Sequence, residues 1–365
     1  MISVIGAGPA GSHAAYLLAK EGYKVNLYED HSVVGIPIQC TGITTGALLE
    51  VINLDKSLIM NEITTYRIIS PDNNELYFKL RKKDIVFDRS KFDQHITEEA
   101  VNAGAKLHLK SKFNGLENNG KLKVKINNEV NEADYLIGAD GPSSLVAKSA
   151  GIYGKRRFIV GAQTRIKRKF DPEIVDIYLG LGGFGWLVPE SETIARTGVV
   201  AYTNVNQVFN ELLSKLKKQG NYEIIDYPSG IIPEYDPNVK SQLNNIYLLG
   251  DAATHVKATT YGGIIYGLMG AQELTKSIVN NQNYEGLWRK RFGKDLWLGL
   301  AIRKAMDRFS DKEYNELLRL ISQEKIKNIV ETNDRDFPTK FLFKLLMKEP
   351  RLMKYGLKAI PSLLL

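Results

Sequence analysis

The chain has 365 residues, 44% of them hydrophobic and 25% charged, with one cysteine and a formal net charge of +8. That is ample for a large core in two lobes plus an appendage, in the composition of an ordinary soluble protein. The lone Cys40 excludes an intramolecular disulfide and fits a reducing compartment. No stretch reaches the ~20 apolar residues of a membrane span, and the opening strand lacks the basic region of a signal peptide.

The first thirty residues read as strand (Ile2–Ile5), glycine turn, helix (Ala14–Lys20) and strand (Val25–Tyr28), a βαβ unit. The turn, Gly6-Ala7-Gly8-Pro9-Ala10-Gly11, fits G-x-G-x-x-G. Gly6 allows the tight bend, Gly8 a close approach of backbone to a pyrophosphate, and Gly11 the packing of helix on strand. The N-terminus of the helix offers free N–H groups and partial positive charge to the phosphates. Glu29 ends the second strand, 18 residues after Gly11, where an acid accepts hydrogen bonds from ribose hydroxyls. This fingerprint alone serves NAD and FAD equally.

Two later apolar strands end in glycine and aspartate: Ala133–Ala139 before Asp140, and the stretch from Asn245 to Gly250 before Asp251. They extend the first sheet from distant sequence. The alternating stretches Phe158–Ile166 and Thr197–Tyr202 belong to a second, antiparallel sheet. Asp251 leads to Gly262-Gly263-Ile264 and an apolar helix. A second carboxylate and a second glycine-opened helix suit a long ligand with a second polar half, which selects FAD.

After Tyr284 the pattern is helical, with Trp288, Phe292, Leu296 and Leu300 recurring every four residues. This tail carries 18 Lys and Arg against 11 Asp and Glu, so most of the net charge sits there. Its end alternates Phe341–Phe343 and Leu345–Met347 with Lys340, Lys344, Lys348, Arg351, Lys354 and Lys358. Such a helix either lies peripherally on an anionic membrane or packs on the body or another subunit. Without a reader motif the basic charge does not indicate nucleic acid. His13, His31, His95 and His108 are scattered without metal spacing, and His255 reads as polar filler.

Six segments taken together resemble the geranylgeranyl reductase family of the p-hydroxybenzoate-hydroxylase-like FAD superfamily. They are GAGPAGS from Gly6, Glu29, PIQCTG from Pro37, DRSKFD from Asp88, LIGADGPSS from Leu136 and GDAATHVKATTYGGI from Gly250. A seventh, FGWLVP from Phe184 to Pro189, is similar to the family's tryptophan–proline motif, with Val188 where an aromatic is usual. Ala258 and Tyr261 stand where the family has proline and glycine.

The resemblance implies an α/β fold. A Rossmann-like FAD-binding domain would take residues 1–50, 84–157 and 240–284. An antiparallel β-sheet substrate domain would take 51–83 and 158–239, and a C-terminal helical segment 285–365. It implies FAD contacts at Gly6, Gly8, Ala10, Gly11, Glu29, Cys40, Thr41, Ile43, Arg89, Phe113, Asp251, Gly263 and Ile264. Cys40 lies near the flavin, and Phe184, Trp186 and Pro189 line a prenyl cavity. The implied reaction saturates isolated double bonds of a polyprenyl lipid, fed by reduced ferredoxin or NAD(P)H, in the cytoplasm or at the inner membrane face. An FAD monooxygenase or halogenase, or an electron-transferring flavoprotein without substrate turnover, remains as an alternative.

Overall fold

The computed structural model describes residues 1–38, 40–118, 121–227 and 229–359, so Gln39 of the PIQCTG segment lies outside the described residues. The chain forms two compact units. One comprises Met1–Ile38, Arg89–Arg157 and Pro233–Leu296, the other Gln39–Asp88, Phe158–Ile232 and Trp297–Leu365. These bounds differ from the expected ones. Residues 39–50 and 84–88 fall with the second unit because Ile43–Thr44 pairs antiparallel with Val86 and Ile85 of the long strand Glu75–Phe87. Residues 285–296 fall with the first unit.

The first unit is built on a six-stranded sheet. Its order is Gln242–Leu243, Ile246–Leu248, Tyr135–Gly138, Ile2–Ile5, Val25–Tyr28 and Lys106–His108. All neighbours are parallel except the outermost hairpin, Gln242–Leu243 with Ile246–Leu248. Ile2, Val4, Leu27, Leu136, Ile137 and Leu248 are fully buried, the near-continuous apolar run expected of strands covered on both faces. Helices Pro9–Lys20, Arg89–Asn102 and Ile264–Asn280 pack together. A three-stranded antiparallel sheet, Phe113–Asn118, Leu122–Ile126 and Glu129–Ala133, packs Phe113, Val124 and Ile126 with Tyr28, Leu136 and Val146. What the sequence presents as one strand from Ala133 is therefore two: Glu129–Ala133 in the small sheet, then Tyr135–Gly138 in the large one.

The second unit is a nine-stranded sheet. Its path runs Glu223–Asp226, Phe158–Lys167, Ile194–Ala201, Phe184–Pro189, Ile174–Tyr178, Ile59–Ile69, Glu75–Phe87 and Ile43–Thr44, with Ser229–Pro233 also on Phe158–Lys167. Ile174–Tyr178 runs parallel to Ile59–Ile69, an exception to the antiparallel pattern. Helix Val205–Lys218 covers one face, burying Leu212 and Leu216 against Ala162, Ile166, Leu187, Ala195 and Val199.

Trp288, Phe292, Leu296 and Leu300 are all buried, as their spacing requires. A repeat of four drifts on a helix of 3.6 residues per turn, and the wider π-turn Arg289–Gly293 takes up the difference. Among the described residues no helix is long and apolar enough to cross a membrane.

Candidate flavin site

The turn after the first strand is built from close backbone approaches. Gly6 has φ +100°, and a Cβ there would lie 2.4 Å from the Ala139 carbonyl oxygen. Only glycine fits, because the turn is pressed against the end of strand Tyr135–Gly138. A Cβ on Gly11 would lie 2.0 Å from the Gly6 carbonyl oxygen, so the helix sits directly on the turn. Gly8, immediately before the helix, has nothing within 4 Å of the Cβ position. Its missing side chain leaves open space at the first turn, whose N–H groups lack intrahelical partners. Ala10 closes the far side: Cβ atoms on Gly250 and Gly267 would stand 3.2 and 3.1 Å from its methyl.

Glu29 is buried and fixed. One carboxylate oxygen accepts from the Ala7 amide at 2.9 Å, the other from the His31 amide at 3.1 Å and Nδ1 at 2.6 Å. Burial pushes its carboxyl up, but the Ala7 amide and the His31 bonds outweigh this and hold it below the usual carboxylate range. A carboxylate has about four lone-pair sites, so it can accept another donor. His31, scattered by sequence, is thus brought to Glu29. Its pKa is raised, chiefly by the bond to Glu29.

Asp251 is the second carboxylate. It sits in the turn Gly250–Ala253 and its oxygen is 3.0 Å from the Cβ position of Gly263, which precedes helix Ile264–Asn280. The carboxylate has no hydrogen-bond partner among the described residues. Burial pushes its pKa up to about 6, opposed by the charges of Arg89 and Arg156. Arg89 opens helix Arg89–Asn102 and is anchored by Asp93 through bonds of 3.1 and 2.9 Å. Arg156 stands in a basic run that gives no sequence signal. It donates to the carbonyls of Ala252 at 2.7 Å and Pro142 at 3.1 Å, lies over the Tyr153 ring, and so ties down the turn bearing Asp251.

The first unit therefore offers an open glycine cradle at a helix N-terminus, a fixed acid at the end of the second strand and a second, half-buried carboxylate with no hydrogen-bond partner among the described residues. That donor set is of the chemistry FAD requires: open backbone N–H groups for a pyrophosphate and carboxylates for sugar hydroxyls. Phe113 supplies its side chain to the core. Tyr261 occupies the family's glycine position at φ +55°, a conformation that glycine adopts without cost and tyrosine does not. His255 is fully buried among Trp288 and Phe292, with neither ring nitrogen bonded, and burial lowers its pKa to about 3. It is neutral core.

In the second unit, strand parity divides the sheet. Leu187, Ala195 and Val199 face the helix. Phe184, Trp186 and Val188, paired with Val200, Gly198 and Arg196, therefore share the opposite face with Gly161, Gln163 and Arg165 of the next strand. Trp186 lies on Gly198, whose Cβ position is 2.5 Å from the indole, and its ring centroid is 5.7 Å from that of Phe184. Pro189, one position on, falls on the helix side of this parity. The segment with Cys40 and Thr41 is tied to the aromatic face: the Thr41 hydroxyl donates to Gln163 Oε1 at 3.0 Å, and Arg196 Nη1 to the Cys40 carbonyl at 3.1 Å. The Gly42 amide donates to the Cys40 Sγ at 3.4 Å. Buried Glu190 holds Arg196 (3.0 Å) and Arg165 (2.6 and 2.9 Å). Gln163, Glu190 and Arg196 carry no motif and were invisible before the strands were paired.

The Arg196 bond makes a prediction about the only thiol. Arg196→Gln removes a charge-assisted bond of ~1.5 kcal/mol from the Cys40 backbone, so alkylation by iodoacetamide should speed up about tenfold, read by intact mass. Arg165→Gln, which touches Glu190 but not Cys40, should leave the rate unchanged. Equal rates in both variants would remove this restraint.

The fold and this site define an FAD-dependent oxidoreductase. The FAD binding domain family matches residues 1–166. The digeranylgeranylglycerophospholipid reductase of Thermoplasma acidophilum is 29% identical, over 90% of this chain and 93% of its own. That of Methanococcus aeolicus is 27% identical over 97% and 96%. A crystal structure of a geranylgeranyl bacteriochlorophyll reductase-like protein from T. acidophilum superposes with a TM-score of 0.84 at 25% identity, covering 97% of this chain and 98% of that one. Over nine-tenths of its length the chain is thus similar to proteins named as geranylgeranyl-type reductases. The flavin-dependent brominase Bmp2, with a TM-score of 0.71 at 16% identity over 96% and 99% of the two chains, shares the fold alone.

Proposed function

We propose that the protein saturates isolated double bonds of a prenyl, geranylgeranyl-type lipid. The observation that carries this reading is the apolar row Phe184, Trp186 and Val188 on one face of the sheet, beside Gln163 and Arg196, which hydrogen-bond the Cys40–Thr41 segment. The names of the relatives, matched over nine-tenths of the chain, support it.

FAD, when bound and reduced, supplies a hydride to one alkene carbon. An isolated alkene has no carbonyl to polarise, so the site needs no oxyanion stabiliser. The work of the side chains is to hold an extended apolar chain in place and exclude water. In this reading Gly6, Gly8, Ala10, Gly11, Glu29, Arg89, Phe113, Asp251, Gly263 and Ile264 hold the cofactor. Cys40, Thr41 and Ile43 border its ring, while Phe184 and Trp186 line the prenyl cavity; Pro189, on the helix side of the sheet, does not. The second alkene carbon takes a proton. Each bond saturated thus consumes two electrons and two protons, and the electrons come from reduced ferredoxin or NAD(P)H. The protein works in the cytoplasm or peripherally at the inner membrane face.

Anaerobic incubation of the dithionite-reduced holoenzyme with a geranylgeranyl lipid should raise the substrate mass by two per double bond. No gain across several prenyl substrates, with rapid O₂-dependent NAD(P)H oxidation instead, would favour the monooxygenase reading and overturn this one.

A further inference from the structure

The end of the chain packs in a two-sided way. Leu345, Leu352 and Tyr355 are buried in a cluster with Leu320, Ile326 and Ile329. A second cluster joins Leu318 to Leu76 and Phe78 of strand Glu75–Phe87, and Arg335 pairs with Asp84 at 2.5 Å. The segment is therefore a fixed part of its unit. Burial of these residues turns the opposite sides of two short helices outward. On Leu342–Lys348, Phe343 is 74% and Met347 67% exposed. On Met353–Leu357, Met353 is 57% and Leu357 61% exposed.

Large apolar side chains this exposed, in i,i+4 pairs on two neighbouring helices, are not scattered surface residues. Their surroundings are basic. Between Phe337 and Ala359 stand six Lys and Arg and a single acid, Glu349. Glu349 is buried and pairs with Arg351, while Lys354 and Lys358 are balanced by Glu316 and Glu313. Lys344 and Lys348 alternate with Phe343 and Met347, are exposed, and have no acidic partner among the described residues. Apolar side chains flanked by unneutralised lysines match an anionic bilayer: the side chains enter the boundary of the acyl region, and the ammonium groups meet lipid phosphates. A purely apolar protein groove would answer the apolar pairs but leave these lysines without partners.

We propose that Phe343, Met347, Met353 and Leu357, with Lys340, Lys344 and Lys348, form a docking surface for an anionic phospholipid bilayer. Its purpose, delivery of a membrane-borne substrate, rests on the prenyl-lipid reading. The surface itself does not, and vesicle binding is measured without turnover. The test is co-sedimentation of the FAD-loaded full chain with vesicles of neutral phosphatidylcholine, with and without about one-third phosphatidylglycerol. At roughly 1 kcal/mol per basic residue near the surface, Lys344→Glu/Lys348→Glu should lower binding to anionic vesicles more than tenfold, as should raised salt. Phe343→Ser/Met347→Ser should lower it too, with flavin content and melting temperature unchanged because both side chains are exposed. Equal binding to neutral and anionic vesicles would overturn the proposal, as would no binding to either. A concentration-dependent dimer abolished by the Phe343/Met347 variant would overturn it in favour of a second copy of the chain. Turnover of detergent-dispersed prenyl substrate should survive in both variants, so a failed reductase assay and a failed docking assay are separable.

Discussion

Gly11→Ala is expected to abolish retention of FAD and to lower the stability of the first unit. The added methyl would lie 2.0 Å from the Gly6 carbonyl oxygen and 3.0 Å from the Ala139 Cβ. The first obstacle is backbone in a turn that is itself pressed on Ala139, so no flexible side chain can give way. Helix Pro9–Lys20 must lift, which costs about 1–3 kcal/mol or more for overpacking and displaces the amides that face the pyrophosphate. Gly8→Ala is the informative contrast. Nothing lies within 4 Å of its Cβ position, so the melting temperature of the apoprotein should not change. The methyl then occupies the space left for the phosphates, and FAD affinity alone falls. Flavin absorbance per chain after desalting, beside thermal melts of both apoproteins, separates the two. Gly11→Ala protein with full flavin and the parental melting temperature would contradict the turn geometry.

These two glycines show what a sequence can reveal of such a site. A contiguous motif is legible because its spacing is the geometry: Gly6, Gly8, Gly11 and Glu29 lie in one βαβ unit, and each has the environment its position implies. Asp251 was legible for a related reason, since a strand ending in Gly-Asp before a glycine-opened helix repeats the logic of the first motif. The residues that hold the site together were not. Arg156 and Arg196 donate to backbone carbonyls, Glu190 accepts from Arg196, and Gln163 accepts from the Thr41 hydroxyl, and such long-range partners depend on strand pairing that no local pattern encodes. The shared face of Trp186 and the Cys40 segment has the same origin. Residues about 146 positions apart are brought to one face through parity across three strands, a consequence of register. The domain bounds shifted likewise, because Ile43–Thr44 pairs with a strand some 40 residues on.

Asp251 should behave as a residue whose presence destabilises the apoprotein. Burial raises its pKa from 3.8 to about 6, so between these values the folded chain holds a proton that the unfolded chain has released. Stability of the apoprotein must then fall as pH rises through this window, and the loss is complete above it, at no more than about 3 kcal/mol. Asp251→Asn removes the ionisation. The apo variant should melt higher than the parent at pH 7.5 and match it near pH 4. FAD binding should move the other way. The carboxylate lacks a hydrogen-bond partner among the described residues, and sugar hydroxyls donate to it best when it is charged, so the amide should bind FAD about ten- to a hundredfold more weakly, for ~1.5–3 kcal/mol. Hydroxyl donors also lower the pKa of the acid they contact, so binding expels the proton. FAD affinity of the parent should therefore rise with pH between about 4 and 6, and that slope should vanish in Asp251→Asn. Titrations at several pH values read both quantities. A variant with parental FAD affinity and an unchanged pH slope would place the ribityl hydroxyls elsewhere. One that is less stable as apoprotein at pH 7.5 would mean that the neighbouring Arg89 and Arg156 draw more from the charge than burial takes away.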